Sequence, residues 1–103
     1  MSRYRFYVGT LDANGDEVKH DKVQRYLMGR FSGYTAFPAD GAWRDGGNHV
    51  VHEASVVYEI LEDAPLATGA TMRGHADALR SRARQRCVLY TAERVLGGFV
   101  HGT

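Results

Sequence analysis

The chain has 103 residues, a formal net charge of +1, 44% hydrophobic residues and 24% charged residues. This size and composition are typical of one globular domain with one core, so we predict a single domain over residues 1–103. The near-zero net charge argues against general nucleic-acid binding, which normally depends on a basic excess. No apolar run approaches the roughly 18 residues of a membrane span, and we expect a cytoplasmic protein without membrane contact.

The first predicted element is an aromatic-rich strand over residues 3–10, RYRFYVGT. Side chains alternate between the two faces of a strand, so Tyr4, Phe6 and Val8 are predicted to face the core. The opposite face then carries three other side chains, namely Arg3, Arg5 and Tyr7.

A first helix is predicted over residues 21–31, after a turn-rich loop. Asp21 and Gln24 have the spacing of a capping box, and Ser32-Gly33 would end the helix. The apolar side chains at helical spacing form its core face: Val23, Leu27 and Phe31.

Two strands are predicted next, over residues 34–44 and 49–62, with the turn sequence DGGN between them. Pro38 cannot donate a ladder hydrogen bond, so the earlier strand is interrupted, bulged or at a sheet edge. The middle of the later strand is more apolar than simple alternation. This indicates a central strand that helices cover on one face.

A second helix is predicted over residues 70–86 and a fourth strand over residues 87–92. Met72, Ala76, Leu79 and Ala83 have the spacing of a core-facing helical stripe. The lone cysteine, Cys87, excludes an internal disulfide and is predicted to be a small buried hydrophobic residue. The end of the chain, ERVLGGFVHGT, is predicted to form either a short extra strand or a packed tail.

The resulting order, β-α-β-β-α-β, predicts an α+β domain of the ferredoxin-like type. Such a domain has an antiparallel sheet with two helices on one face. Its other face is left to solvent, to a ligand or to a second copy of the chain.

A hairpin motif carries a resemblance to known proteins. Gly-x-Trp-Arg-Asp is followed by Glu-x-Ser-x-Val and an apolar strand, which here are Gly41, Trp43, Arg44, Asp45, Glu53, Ser55 and Val57. This pattern resembles a family of small, functionally uncharacterised bacterial and phage proteins. The resemblance extends over most of the chain. It implies the ferredoxin-like fold and assigns no activity.

The same hairpin offers two interpretations of Trp43 and Arg44, which are neighbours on a strand and so face opposite sides. In the structural one, Arg44 pairs with Glu53 or a neighbouring acid and fixes the register. In the functional one, Trp43 provides a stacking plane and Arg44 a donor fork for an anionic group.

Two histidines in this region, His49 and His52, have the spacing His-x-x-His. On a strand this spacing places them on opposite faces, so we predict no metal site and no cofactor. A small enzyme that uses His52 and Glu53 as an acid–base pair is an alternative. No catalytic motif is present, and we assign no catalytic residue.

A stripe of arginines on the second helix, Arg73, Arg80 and Arg84, is a predicted anion or partner surface. These residues either pair with Glu59, Glu62 or Asp63 or with acids of a second subunit, or contact phosphates. In a nucleic-acid-binding protein of this topology, Tyr7 and Tyr58 would stack on bases. The acids of VVYEILE oppose that alternative.

The sequence therefore predicts a non-catalytic, oligomeric binding module. It would hold a small anionic or nucleotide-like ligand, or a protein partner, at a subunit interface. If the chain is phage-encoded, it would act in the host cytoplasm, where sequestration of a host signalling molecule is one use. The predicted ligand-binding residues are Arg3, Arg5, Tyr7, Trp43, Arg44, His52, Glu53 and Tyr58.

Overall fold

The computed structural model describes residues 1–102, which form four strands and two helices in the predicted order. The elements are β1 Ser2–Gly9, α1 His20–Met28, β2 Thr35–Arg44, β3 Val50–Glu62, α2 Gly69–Arg82 and β4 Leu89–Arg94. The α+β class is confirmed. Residues 95–102 form no strand, so the predicted extra strand is absent from the described residues, and Thr103 lies outside them. No helix among residues 1–102 is long and apolar enough to cross a membrane.

The strands form one antiparallel sheet in the order β2-β3-β1-β4. Each helix connects two strands that have a third strand between them. α1 links β1 to β2 across β3, and α2 links β3 to β4 across β1. β3 is central and β2 is an edge strand, which explains why β2 tolerates Pro38.

The core lies between the sheet and the two helices, and the predicted alternation of β1 is confirmed. Tyr4, Phe6 and Val8 are at most 3% exposed. Both helices contribute to the same cluster, α1 through Val23, Tyr26 and Leu27 and α2 through Met72, Ala76 and Leu79. Both helices therefore cover the same face of the sheet.

The predicted capping box of α1 is wrong. Its N-cap is Lys19, which makes no side-chain cap hydrogen bond, and Asp21 lies within the first turn. There the Asp21 carboxylate accepts a 2.8 Å hydrogen bond from Arg25, one turn later, which favours the helix locally. α1 ends at Met28, and Phe31 follows it as a partly buried residue against the core.

α2 begins at a cap and ends earlier than predicted. The Thr68 hydroxyl accepts a 3.2 Å hydrogen bond from the Thr71 N–H. The helix ends at Arg82, and Arg84 has a positive φ of 52°. Consequently Arg84 and Arg86 lie in a connection to β4 rather than on the helix.

The β2–β3 hairpin extends past the rest of the sheet. β3 pairs with β1 only over residues 55–62, while residues 50–54 pair with β2 alone. Its turn is fixed by Asp45, whose Oδ1 accepts 2.9 Å hydrogen bonds from the N–H groups of Gly47 and His49. The molecule is accordingly elongated, at 52 × 26 × 26 Å.

Candidate functional site

The face of the sheet away from the helices, here the open face, carries the odd-numbered side chains of all four strands. On β1 and β4 these are Arg3, Arg5, Tyr7, Leu89, Thr91 and Glu93, and on β2 and β3 they include Phe37, Trp43, Glu53, Ser55 and Glu59. This face therefore brings together five of the predicted ligand-binding residues: Arg3, Arg5, Tyr7, Trp43 and Glu53.

Both open-face arginines are paired with acids of neighbouring strands. Arg3 forms an ion pair with Glu93, and Arg5 Nε donates a 2.7 Å hydrogen bond to Glu59 Oε2. The hydrogen bond to Glu59 raises the pKa of Arg5. The positive charges of Arg3 and Arg5, which were expected to bind an anionic ligand, are therefore neutralised by acids of the same chain.

Glu53 lies at the other end of the open face, between two glycines. Gly41 is its partner on β2, and the end of β1 beside it is Gly9. A Cβ added at Gly9 would overlap Glu53 Oε1 and lie 2.6 Å from Gln85 Oε1. Within residues 1–102, the Glu53 carboxylate accepts no hydrogen bond and forms no ion pair. It is a partly buried carboxylate with space above it.

Gln85 holds the chain in place beside this carboxylate, and no periodic pattern in the sequence indicates this role. Its side chain is buried at 6% exposure. Its Oε1 accepts a 3.1 Å hydrogen bond from the Gly9 N–H, and its Nε2 donates a 2.8 Å hydrogen bond to the Leu11 carbonyl. The end of β1 and the connection before β4 are thereby held together.

A cavity of about 400 Å³, here the larger cavity, lies over Glu53. Trp43 and Leu89 form exposed parts of its wall, at 50% and 61% exposure. Most of the other lining side chains are apolar. The lining residues are Tyr7, Gly41, Ala42, Trp43, Glu53, Ser55, Cys87 and Leu89. Glu53 is the one formally charged side chain in this lining.

A second cavity of about 290 Å³, here the smaller cavity, adjoins the larger one and shares Trp43, Glu53 and Cys87 with it. It lies where β3 extends past the end of β1, so side chains of both faces border it. Its polar lining outside the shared residues includes Asp12, His52, Gln85 and Arg86.

The structure separates Arg44 from the other hairpin residues. Arg44 pairs with Val50 and Glu53 with Gly41, so their side chains lie on opposite faces of the hairpin. The structural interpretation in which Arg44 pairs with Glu53 is therefore wrong. The Arg44 Nη1 instead contacts Asn48 Oδ1 at 3.4 Å, near the turn.

His52 and Tyr58 also lie on the helix side of β3. His52 borders the smaller cavity, but it faces away from Glu53, so the two do not form an acid–base pair. Tyr58 is fully buried, and the prediction that it stacks on a ligand at the open face is wrong. Its hydroxyl lies 2.5 Å from His20 Nδ1, and burial raises the pKa of Tyr58 to about 12.

Cys87 is exposed, which corrects its predicted burial. The prediction treated CVLY as the start of a strand, whereas β4 begins at Leu89. Cys87 belongs to the connection after α2 and lines both cavities. A short run of apolar residues does not by itself indicate at which residue the strand begins.

The predicted arginine stripe is not continuous. Arg80 Nε donates a 2.9 Å hydrogen bond to Asp77, Arg73 is exposed on α2, and Arg84 lies beyond the helix. Two of the three acids expected to pair with them have other partners. Glu59 pairs with Arg5, and Glu62 accepts a 3.0 Å hydrogen bond from the Ser32 N–H.

Metal-binding side chains are not grouped in the described part of the chain. No set of three or more His, Cys, Asp or Glu residues there has a geometry that could hold an ion. His49 lies beside Asp45 in the hairpin turn, with 3.5 Å between Nδ1 and Oδ1.

The solved structures that are similar to this chain include two of phage SAM lyase. One is a phage SAM lyase in complex with S-methyl-5'-thioadenosine, with a TM-score of 0.67 and 16% identity over 89% of this chain and 79% of that chain. The other is a phage SAM lyase in the apo state, with a TM-score of 0.59 and 19% identity over 89% and 78% of the two chains. No family model and no curated protein matches the sequence. At this identity the likeness shows a shared fold.

Proposed function

We propose that the chain binds an adenosine thioether or sulfonium compound in the larger cavity. S-methyl-5'-thioadenosine is a thioether of this class, and S-adenosylmethionine is a sulfonium compound of this class. The observation that carries the proposal is a cavity with an aromatic wall and a carboxylate, that of Glu53, which has no partner among residues 1–102. It lies in a fold similar to that of a protein in complex with S-methyl-5'-thioadenosine.

The shape and lining of the larger cavity suit a nucleoside. Its volume of about 400 Å³ lies within the range of roughly 300–1,000 Å³ that is usual for small-molecule pockets. Trp43 is half exposed and offers an aromatic plane for the adenine, and Tyr7 and Leu89 add apolar surface. Stacking on such a plane does not require charge on the ligand.

The charges favour a neutral or cationic ligand over the anionic one that the sequence suggested. Arg3 and Arg5 are already paired, and the larger cavity contains one formal charge, that of Glu53. A phosphate there would be repelled by this carboxylate. A sulfonium cation would be attracted by it and by the face of Trp43.

A second copy of the chain would complete the site. Trp43 and Leu89 leave much of their surface exposed, so the larger cavity of a single copy is open to solvent on that side. Copies that meet over the open face would cover these residues and close the larger cavity. In a phage protein, such binding would withdraw the compound from the host.

Titration calorimetry with S-methyl-5'-thioadenosine tests the proposal. The wild-type chain should bind, and Trp43→Ala should weaken binding by about fivefold or more because one stacking plane is worth roughly 1–3 kcal/mol. Arg44→Ala is the matched control, since its side chain lies on the other face, and it should bind as the wild type does. Absence of binding to both S-methyl-5'-thioadenosine and S-adenosylmethionine by the folded wild type would overturn the proposal.

Cleavage of S-adenosylmethionine at the same site is the second candidate, favoured by the position of Glu53. In this cleavage the bond between the sulfur and the γ-carbon of the amino-acid arm breaks, and the sulfur of S-methyl-5'-thioadenosine keeps the electron pair. A carboxylate without a partner among residues 1–102, beside a cavity, has the placement of a general base that takes the β-proton of the arm, which then leaves as an unsaturated amino acid. Incubation with S-adenosylmethionine followed by chromatography would detect released S-methyl-5'-thioadenosine. Glu53→Gln should abolish release and retain binding of that product. If the wild type releases none, the chain acts by binding alone.

A further inference from the structure

The larger and smaller cavities are adjoining compartments with Glu53 at their junction. Both are lined by Trp43, Glu53 and Cys87. The hydrogen bonds of Gln85 to Gly9 and Leu11 hold the end of β1 and the loop after it against the connection before β4, and Leu11 and Gln85 line the smaller cavity. A ligand with two unlike halves could therefore place one half in each compartment and its central atom over Glu53.

The smaller cavity differs from the larger one in charge. Besides Glu53 it is lined by one cation, Arg86, and one further carboxylate, Asp12. Within residues 1–102 the Arg86 guanidinium forms no ion pair and no side-chain hydrogen bond. Its charge is thus available to a ligand.

Asp12 is held in place by its own loop. Its Oδ1 accepts hydrogen bonds from the N–H groups of Asn14 at 2.8 Å and Asp16 at 3.0 Å. The hydrogen bond from the Asp16 backbone is the main cause of a lowered pKa of Asp12, so the carboxylate is charged at neutral pH. Its Oδ2 accepts no hydrogen bond from the described part of the chain.

One cation and one anion in the lining of the same cavity match the zwitterion of an α-amino acid. A carboxylate ligand group would bind Arg86, and an ammonium group would bind Asp12. A free phosphate fits less well, because Asp12 and Glu53 would both repel it. The lining of this compartment therefore favours an amino-acid group over a phosphate group.

We propose that the smaller cavity is a subsite for the amino-acid end of an adenosine thioether or sulfonium ligand, with Arg86 as the residue that binds its carboxylate. This inference rests on the proposed function. The adenosine would lie in the larger cavity and the sulfur over Glu53. Arg86 is then a specificity residue, since S-methyl-5'-thioadenosine has no amino-acid group for it to bind.

Two ligands, one with and one without an amino-acid group, test this subsite independently of the nucleoside site. S-adenosylhomocysteine carries the amino-acid end, and as a neutral thioether it lacks the sulfonium that the cleavage candidate requires. Its dissociation constant and that of S-methyl-5'-thioadenosine are measured by titration calorimetry on the wild type, on Arg86→Ala and on Arg73→Ala. Arg73 is exposed on α2 and is the control.

We expect Arg86→Ala to weaken S-adenosylhomocysteine about tenfold or more, as for loss of a charge-assisted hydrogen bond, and to leave S-methyl-5'-thioadenosine unchanged. Arg73→Ala should change neither. Equal effects of Arg86→Ala on both ligands, or no effect on either, would overturn the subsite and leave the proposed function standing. A wild type that binds neither of these compounds nor S-adenosylmethionine would overturn the proposed function together with the subsite.

Discussion

Glu53 keeps space above its carboxylate because both neighbouring strands carry glycine beside it. Gly41 is its register partner on β2, and Gly9 ends β1 on the other side. Toward the opposite end of the same face, Glu59 accepts a hydrogen bond from Arg5. Glu59 therefore has a cationic partner among the described residues, whereas Glu53 has none. A methyl group at position 9 would occupy the space that the Glu53 carboxylate now fills.

Gly9→Ala is predicted to destabilise the fold by about 1–3 kcal/mol, because the new Cβ overlaps Glu53 Oε1 and crowds Gln85 Oε1. Urea unfolding measures the loss. Gly33→Ala is the control, since nothing lies within 4 Å of a Cβ there, and it should be neutral or slightly stabilising. Equal stability of the two variants would show that Glu53 and Gln85 move aside freely.

The two helices each place one histidine against a tyrosine of another element. His20, the first residue of α1, contacts the Tyr58 hydroxyl of β3, and His75 Nδ1 of α2 lies 2.8 Å from the Tyr26 hydroxyl of α1. Burial lowers the pKa of His20. It also lowers the pKa of His75, with a further contribution from the nearby Arg30.

Stability is therefore predicted to fall as pH decreases below about 6.5, the ordinary pKa of histidine. Above that pH both histidines are neutral in the folded and unfolded chains. Below it the unfolded chain binds protons first, so the free energy of unfolding decreases until the lowered folded-state pKa values are passed. Urea midpoints from about pH 7.5 to about pH 5.5 measure this effect, and the range avoids carboxylate titration.

Two variants assign this pH dependence to the helix contacts. His75→Gln removes one of the titrating groups, so its midpoint should change less with pH. His52→Gln alters an exposed histidine on β3 and should keep the slope of the wild type. A wild-type midpoint that is constant over the range would contradict the prediction.

The element order and the faces of the strands were predictable because both depend on local periodicity. The alternation in β1 separates Tyr4 from Arg5 without any knowledge of partners. The pairings were not predictable, since Arg3 and Glu93 are 90 positions apart and meet only through the β1–β4 register. The same applies to Gln85, whose role depends on where α2 ends.

As a whole, the molecule buries one face of its sheet and leaves apolar side chains on the other. Phe37 and Leu89 on the open face are 38% and 61% exposed, and Leu96 and Val100 in the terminal segment are almost fully exposed. One layer of core is all that two helices can cover. The remaining apolar surface is the physical reason to expect self-association.

Phe37→Glu is predicted to prevent assembly and to leave the folded monomer intact. Phe37 lies on the open face but outside the lining of the larger cavity, so the change places a charge in the proposed interface without altering the ligand site. Stable protein interfaces bury roughly 800 Å² per partner, and a charge in that area without a partner disrupts them. Multi-angle light scattering at tens of micromolar should give a multiple of 11.4 kDa for the wild type and 11.4 kDa for the variant.

Met28→Glu is the matched control, because Met28 is 55% exposed at the end of α1, on the helix side of the sheet. It should keep the mass of the wild type, and urea unfolding of each variant shows whether the fold is retained. A monomeric wild type would contradict assembly over the open face. Loss of mass in Met28→Glu alone would instead place the contact between copies on the helix side, and the larger cavity would then remain open to solvent.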